Sequence, residues 1–217
     1  MTGAEPMKKT FLTATHLRIL ALFLMLLDHG GLVFFPGIIW MRCLGRLAFP
    51  VFAFQTAEGY RHTRNFRRYC LRLAIFALVS EIPFDLMAFG TIFYPAHQNV
   101  MFTLLLGLLA CRLFDDRRFW ALIPVFLAAS LLHTDYRLYG VLLVLVFHAV
   151  PDRQLLLPLL ILLSGFFYGF FSIQMFAVLA WVPIFLYSGK RGRGGKGLQY
   201  GSYVFYPLHM LILGLFR

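Results

Sequence analysis

Arg18 and His29 lie eleven residues apart in a stretch, Leu17 to Phe35, whose other members are apolar apart from Asp28 and two glycines. On a helix these positions differ by about 20° in azimuth and stand roughly 16 Å apart, three turns along one stripe. One face then carries a guanidinium near one membrane boundary and an imidazole at depth. Histidine is the side chain best suited to moving a proton near neutral pH. The pair suits a long substrate with an anionic head at Arg18 and a reactive tail at His29. Asp28 is the immediate neighbour of His29, so the two side chains diverge by about 100° and Asp28 is a poor direct orienter of the ring. Its expected roles are pairing with Arg42 or Arg46, or binding the acceptor. Arg42 and Arg46 share a face at i, i+4 and need anionic partners, for which Asp28, Glu81 and Asp85 are the candidates.

Glu81 and Asp85 are also at i, i+4 and straddle Pro83, which should kink the helix and free a carbonyl. A carboxylate there is expected to orient His29 and stabilise its protonated form. A metal site of carboxylates and His29 is the lesser reading, because no second histidine shares that helix, and no metal is assigned. Arg61, Arg64, Arg67, Arg68 and Arg72 form a dense cluster without lysine, flanked by Glu58, Thr63, Asn65 and Tyr69. Guanidinium binds phosphate in bidentate fashion, so Arg64, Arg68, Arg72 and Arg18 are candidates for a nucleotide-containing donor entering from the cytoplasm. His209 lies midway along the last apolar segment, a second candidate proton carrier or hydrogen-bond donor, placed with Arg42 and Arg46 on the acceptor side. His97, His133 and Asp135 could line an acceptor entrance. No Walker loop, HExxH, GxSxG or dinucleotide fingerprint occurs.

The elements that must position these residues are membrane-type helices. Of 217 residues, 60% are hydrophobic and 25 are Phe, beyond the half that a soluble chain carries. The expected fold is all-α, a polytopic bundle of about nine spans (eight to ten). They are Leu17–Phe35, Ile38–Gly59, Tyr69–Phe89, Asn99–Leu113, Phe119–Leu132, Leu138–Val150, Leu155–Phe167, Ser172–Tyr187 and Gln199–Phe216. Residues 1–16 are expected as a short cytoplasmic N-terminus and residues 17–217 as one domain. Lys and Arg concentrate on one side of this scheme, which puts the N-terminus inside and the C-terminus outside an inner membrane. The formal charge of +11 follows that topology rather than forming one face, so nucleic acid is not expected as a partner and membrane lipid is. Gly189 to Gly197 alternates glycine with Lys or Arg and reads as a flexible basic loop. Cys43, Cys70 and Cys111 are isolated, giving neither a disulfide framework nor a zinc site.

Several polar motifs in order resemble the TraX family. They are Leu17-Arg18-Ile19-Leu20-Ala21 with Asp28-His29-Gly30, Arg42 through Phe52, Glu58-Gly59-Tyr60, Ser80-Glu81-Ile82-Pro83-Phe84, Asn99 through Leu104, and Tyr206-Pro207-Leu208-His209. The likeness covers about Leu17 to Gly107 and returns at Tyr206; between Cys111 and Lys196 only hydrophobic helices correspond. That family is named for a pilin acetylase of conjugation. It is similar in turn to membrane acyltransferases that O-acetylate surface sugars, whose hallmark is an arginine and a histidine on the first helix with ten residues between them. The resemblance implies a bacterial membrane acetyltransferase, with acetyl-CoA as donor, His29 matching the catalytic histidine and Arg18 the arginine. The acceptor, whether peptide amine, glycan hydroxyl or lipid, stays open. The alternative is a small proton-coupled transporter using Asp28, His29, Glu81 and Asp85 as a relay, for which matching broken helices would be the sign.

Overall fold

The computed structural model describes residues 10–217, the side chain of Lys196 excepted, so the expected N-terminal segment falls mostly outside the described residues. The architecture is all-helical. In chain order the α-helices are α1 (Ala14–Val33), α2 (Ile39–Gly45), α3 (Ala48–His62), α4 (Phe66–Phe89), α5 (Val100–Asp115), α6 (Leu122–Leu131), α7 (Arg137–Ala149), α8 (Arg153–Tyr168), α9 (Trp181–Phe185) and α10 (Gly195–Leu215). Short 3₁₀ turns precede α6 and α9, at Phe119–Ala121 and Ile173–Ala180. Among the described residues, β-pairing is confined to the isolated bridges Leu12–Tyr187 and Gln98–Thr134, one at each end of the bundle.

Local chemistry sets the boundaries that matter. Thr13 opens α1 with a capping box, its hydroxyl accepting from the His16 amide at 3.4 Å while His16 Nδ1 accepts from the Thr13 amide at 3.3 Å. Asn65 opens α4 by accepting from the Arg68 amide at 2.9 Å, and Asn99 opens α5 by accepting from Met101 at 2.9 Å. The span expected as one helix, Ile38–Gly59, is two. Pro50 supplies no amide for the Arg46 carbonyl and its ring opposes that carbonyl, so the chain breaks at Arg46–Leu47 and α3 starts with the proline in its first turn. By contrast, α4 runs on through Pro83 to Phe89.

Among the described residues one helix, α1, is long and apolar enough to cross a membrane by length and composition. The segments Phe119–Leu131, Arg137–Ala149, Arg153–Tyr168 and Ile173–Phe185 are apolar but shorter. The 24-residue α4 carries Arg67, Arg68, Arg72, Glu81 and Asp85. The core gathers α1, α3, α4, α5, α7, α8 and α10 around fully buried Leu17, Leu73, Leu108, Tyr139, Phe147 and Met210. Helices α5 and α7 cross closely because Gly107 of α5 leaves room for Val144 of α7, which a Cβ would meet at 2.7 Å, and Gly140 of α7 leaves room for Thr103 of α5.

The basic loop before α10 is tied down rather than free. Lys190 and Arg191 carbonyls accept from the Ala14 and Thr15 amides at 2.9 and 3.1 Å, and Ser188 donates to Leu12 O through both its amide (2.7 Å) and hydroxyl (2.8 Å). The orphan amides that begin α1 find their acceptors here.

At the same end, α3, α5 and α7 are joined by a polar knot. Tyr60 donates to Asp115 Oδ2 at 2.9 Å, His148 Nε2 meets Asp115 Oδ1 at 2.7 Å, and Arg61 donates to the Phe147 and His148 carbonyls at 2.6 and 2.8 Å. Burial acts to raise the Asp115 carboxyl, but the hydrogen bonds from His148 and Tyr60 outweigh it and hold it below its ordinary value. Burial together with the bond to Asp115 pushes the Tyr60 phenol up to about 12. A depressed carboxyl contributes its full stabilisation above the unfolded-state value of about 3.9 and loses it as pH falls through the folded-state value. Asp115→Asn is therefore expected to lower the melting temperature at neutral pH and to flatten its decline below about pH 4. Parallel melting curves for variant and parent across that range would show that the knot adds nothing.

Candidate functional site

At the Ala14 end of the bundle a cavity of about 620 Å³ opens between α1, α3, α4, α10 and the basic loop. That volume is typical of small-molecule sites. Helix α1 lines it with Arg18, Leu22 and Met25, the stripe that leads to His29. Helix α4 contributes Tyr69, Arg72 and Leu73, α10 contributes Ser202, Tyr203 and Tyr206, and Arg64 and Arg191 stand in the flanking loops. The Arg72 guanidinium lies over the rings of Tyr69 (4.9 Å) and Tyr203 (5.1 Å). Its Nε is buried without a hydrogen-bond partner. The carboxylate in the lining, Glu58, is already engaged by Arg61 (3.1 Å), His62 (3.1 Å) and Tyr187 (3.3 Å). Arg18, Arg64, Arg72 and Arg191 thus make a cationic chamber with little acidic compensation. Of the arginines expected to hold phosphate, Arg68 alone stands outside the lining, exposed one turn toward the start of α4.

His29 sits beyond the cavity's far end. Neither it nor His209 is in the lining, which stops one turn short at Met25 on α1 and at Tyr206 on α10. His29 Nδ1 lies 2.8 Å from His209 Nε2, and His209 Nδ1 lies 2.8 Å from the Phe205 carbonyl. The imidazole planes agree within 2° at a centroid separation of 5.0 Å, so the bond between them lies in their common plane rather than across stacked faces. His209 is buried and lies against the ring of Phe205, with centroids 4.9 Å apart; His29 is partly exposed.

Glu81 and Asp85, the carboxylates expected to orient His29, are committed elsewhere, and Asp28 is held by the arginines expected to pair with it. Asp28 is held by Arg46, which reaches both of its oxygens at 2.9 Å, and by Arg42, which sits 3.1 Å from Oδ1 and donates to the Asp28 carbonyl at 2.9 Å. Glu81 accepts from the Asn99 amide at 2.9 Å and from its side-chain amide. Asp85 accepts from the Tyr94 amide at 2.7 Å. Glu81 and Asp85 therefore fasten the turn between α4 and α5, whose amides lie nearest in the chain. Asp28, His29, Glu81 and Asp85 are not hydrogen-bonded directly to one another, each having its own partner. His97 lies 3.7 Å from Asp135 and against the rings of Phe84 and Phe89, and among the described residues no cluster with the makings of a metal site occurs.

Sequence reasoning did not single out Tyr203, Gln55, Thr56, Met25 or Tyr206 as lining. Met25 was accessible from the stripe Arg18, Leu22, Met25, His29. The α10 residues carried no local signal, because their relation to α1 depends on a contact across some 180 positions.

A family model described as TraX protein matches residues 13–217. A protein named probable fimbrial assembly protein FimC, serogroup H1, from Dichelobacter nodosus is 32% identical over 231 residues, covering 93% of this chain and 94% of that protein. No solved structure matches the chain.

The grip on Asp28 depends on Gly45, where a Cβ would fall on the Asp28 side chain, whereas a Cβ at Gly30 meets nothing within 4 Å. Gly45→Ala is expected to destabilise by about 1–3 kcal/mol, as overpacking does. Gly30→Ala should be neutral or stabilising by up to about 1 kcal/mol, as in a helix interior. Denaturant titration of both variants separates a specific contact at Gly45 from a general intolerance of side chains near His29.

Proposed function

The chain belongs to the TraX family, and on that footing we propose that it is a multi-pass membrane acetyltransferase. It would take its acetyl group from cytoplasmic acetyl-CoA and deliver it to an amine or hydroxyl on a component of cell-surface assembly. The observation that carries this is the cationic cavity whose α1 wall, Arg18 to Met25, leads to within one helical turn of His29. Phosphates of the donor fit Arg72, whose buried Nε lacks a partner, with Arg18, Arg64 and Arg191 around it. The apolar lining, Leu22, Met25, Leu73, Met101 and Leu104, suits a long thin arm extending toward His29.

The membrane reading rests on the outer surface. Leu71, Ile75, Leu78, Val79 and Ile82 of α4 are between 48% and 68% exposed, an apolar face on a helix whose charges sit at its start or turn inward. Phe166, Phe171, Ile123, Leu127 and Leu162 extend such exposure around the bundle. In water this much contiguous apolar area would drive aggregation; facing acyl chains it is at rest. Arg61, Arg64, Arg67, Arg68, Arg112, Arg117, Arg118, Arg153, Lys190, Arg191 and Arg193 belong to the end where α1 begins, which the positive-inside rule assigns to the cytoplasm. An inner-membrane location with the N-terminus inside follows, and residues 17–217 act as one domain.

In the proposed reaction His29 removes the proton of the acceptor. The freed nucleophile bonds the acetyl carbon, the carbon–sulfur bond breaks, and the departing thiolate takes the proton back from His29. Acetyl-CoA supplies the activated carbonyl; the chain supplies the anchor, the channel and the base. The relative's name, a probable fimbrial assembly protein, favours an acceptor destined for the cell surface.

Purified protein in lipid nanodiscs, supplied with labelled acetyl-CoA and with peptide-amine or glycan acceptors, tests this. His29→Ala is expected to slow transfer by about 10²- to 10⁴-fold, the usual worth of a general base, with donor affinity within about twofold of the parent. Arg72→Ala should raise the donor KM about tenfold or more, since charge-assisted hydrogen bonds are worth about 1.5–3 kcal/mol. Failure of acetyl-CoA to bind in calorimetry, or full transfer by His29→Ala, rejects the proposal.

A further inference from the structure

The contacts of His209 restrict where protons sit on both imidazoles. Phe205 O is a carbonyl and can only accept, so the 2.8 Å contact places a proton on His209 Nδ1. A neutral ring with that proton has a lone pair on Nε2. The 2.8 Å contact from His209 Nε2 to His29 Nδ1 must then be donated by His29. With Nδ1 protonated, His29 keeps its lone pair on Nε2, the nitrogen that no protein group among the described residues bonds. The alternative, an imidazolium at His209, would put a charge on a ring that is 5% exposed and takes part in none of the ion pairs among the described residues.

We infer that His209 is a positioning residue that locks His29 as its Nδ1–H tautomer, so that Nε2 is the nitrogen presented to the acceptor. The inference rests on the reading of His29 as the base. The coplanar ring pair holds the azimuth of His29 as well as its tautomer, and the Phe205 carbonyl holds His209 in turn. A base oriented by a second group, itself oriented by a third, is the general logic of activated sites. The usual orienting carboxylate is replaced here by an imidazole because each nearby carboxylate is bound elsewhere. When His29 receives a proton on Nε2, its Nδ1–H bond to His209 is retained and becomes charge-assisted.

The test reads the tautomer with no substrate present. Full-length protein in nanodiscs, labelled with ¹⁵N-histidine and assigned by His29→Gln and His209→Gln, is examined by ¹⁵N NMR above neutral pH. The expected result is an unprotonated Nε2 and a protonated Nδ1 on His29. In His209→Leu the Nε2–H form should appear, and in His209→Gln, whose amide offers a donor and an acceptor, the Nδ1–H form should persist. With acceptor present, His209→Leu should lower kcat about tenfold with donor KM unchanged, and His209→Gln should recover most of it. A parent protein with Nε2–H at His29, or a His209→Leu tautomer identical to the parent's, overturns the inference. If His29 shows the expected tautomer but no acetyl transfer occurs, the tautomer lock stands and the proposed reaction fails, so the two are told apart.

Discussion

The grip of Arg42 and Arg46 on Asp28 is the constraint from which the rest of the site follows. An ionised carboxylate among apolar helices is tolerable only when its charge and its lone pairs are met. Arg46 meets both oxygens, and Arg42 adds a bond to the main-chain carbonyl as well as to the carboxylate. The seven-residue α2 is thereby laid against the far end of α1, with Gly45 packed directly on the Asp28 side chain. A pair of this kind adds little net stability, yet misplacing it is costly, so it specifies one rotation of α1 about its axis. His29 is the next residue, about 100° further round. Once Asp28 faces α2, His29 faces α10 and meets His209.

Compensation explains the opposite end too. Each carboxylate among the described residues has a protein partner: Asp28 the two arginines, Glu58 Arg61 and His62, Glu81 Asn99, Asp85 Tyr94, Asp115 His148 and Tyr60, Asp116 Arg112, Asp135 His97 and Asp152 the Gln154 amide. Acidic groups are scarce, nine against twenty basic ones in the whole chain, and among the described residues the carboxylate that lines the cavity, Glu58, is already paired. The surplus of positive charge is therefore displayed where Arg18, Arg64, Arg72 and Arg191 converge. Tyr69 and Tyr203 disperse part of it through their ring faces, which holds Arg72 in place without neutralising it.

Much of this was legible in the residues, and the divide falls along sequence distance. The α1 stripe from Arg18 to His29, the shared face of Arg42 and Arg46, their pairing with Asp28 and the arginine cluster all follow from helical periodicity over a few turns. The break at Arg46–Leu47 was signalled by Pro50 but masked by the unbroken hydrophobicity around it. Glu81 and Asp85 share a face as their spacing requires, yet periodicity says nothing of what lies opposite. The turn they themselves lead into supplied amides at 2.7 and 2.9 Å before any imidazole could compete. The basic loop reads as flexible from its glycines, whereas its carbonyls are the acceptors that the start of α1 lacks. His209 was visible as a residue type; its partner was set by how α1 packs against α10, which no local pattern encodes.

The one-turn gap between the cavity and the histidine pair has a consequence for how such a site would work. Met25 and Tyr206 close the chamber, and His29 and His209 stand beyond them on the same two helices. Met25 and Tyr206 are both buried in the core, but methionine is unbranched, with three rotatable bonds, and adapts to irregular space more readily than a tyrosine ring. A rotamer change at Met25 is thus the least expensive way to join the two compartments. In the proposed reaction, a thioester held at the arginines would stay apart from His29 until that side chain moved. Arg18, the apolar stem and His29 all lie along α1, so in the proposed reaction the closure would be set by the side chain at one position of the same stripe.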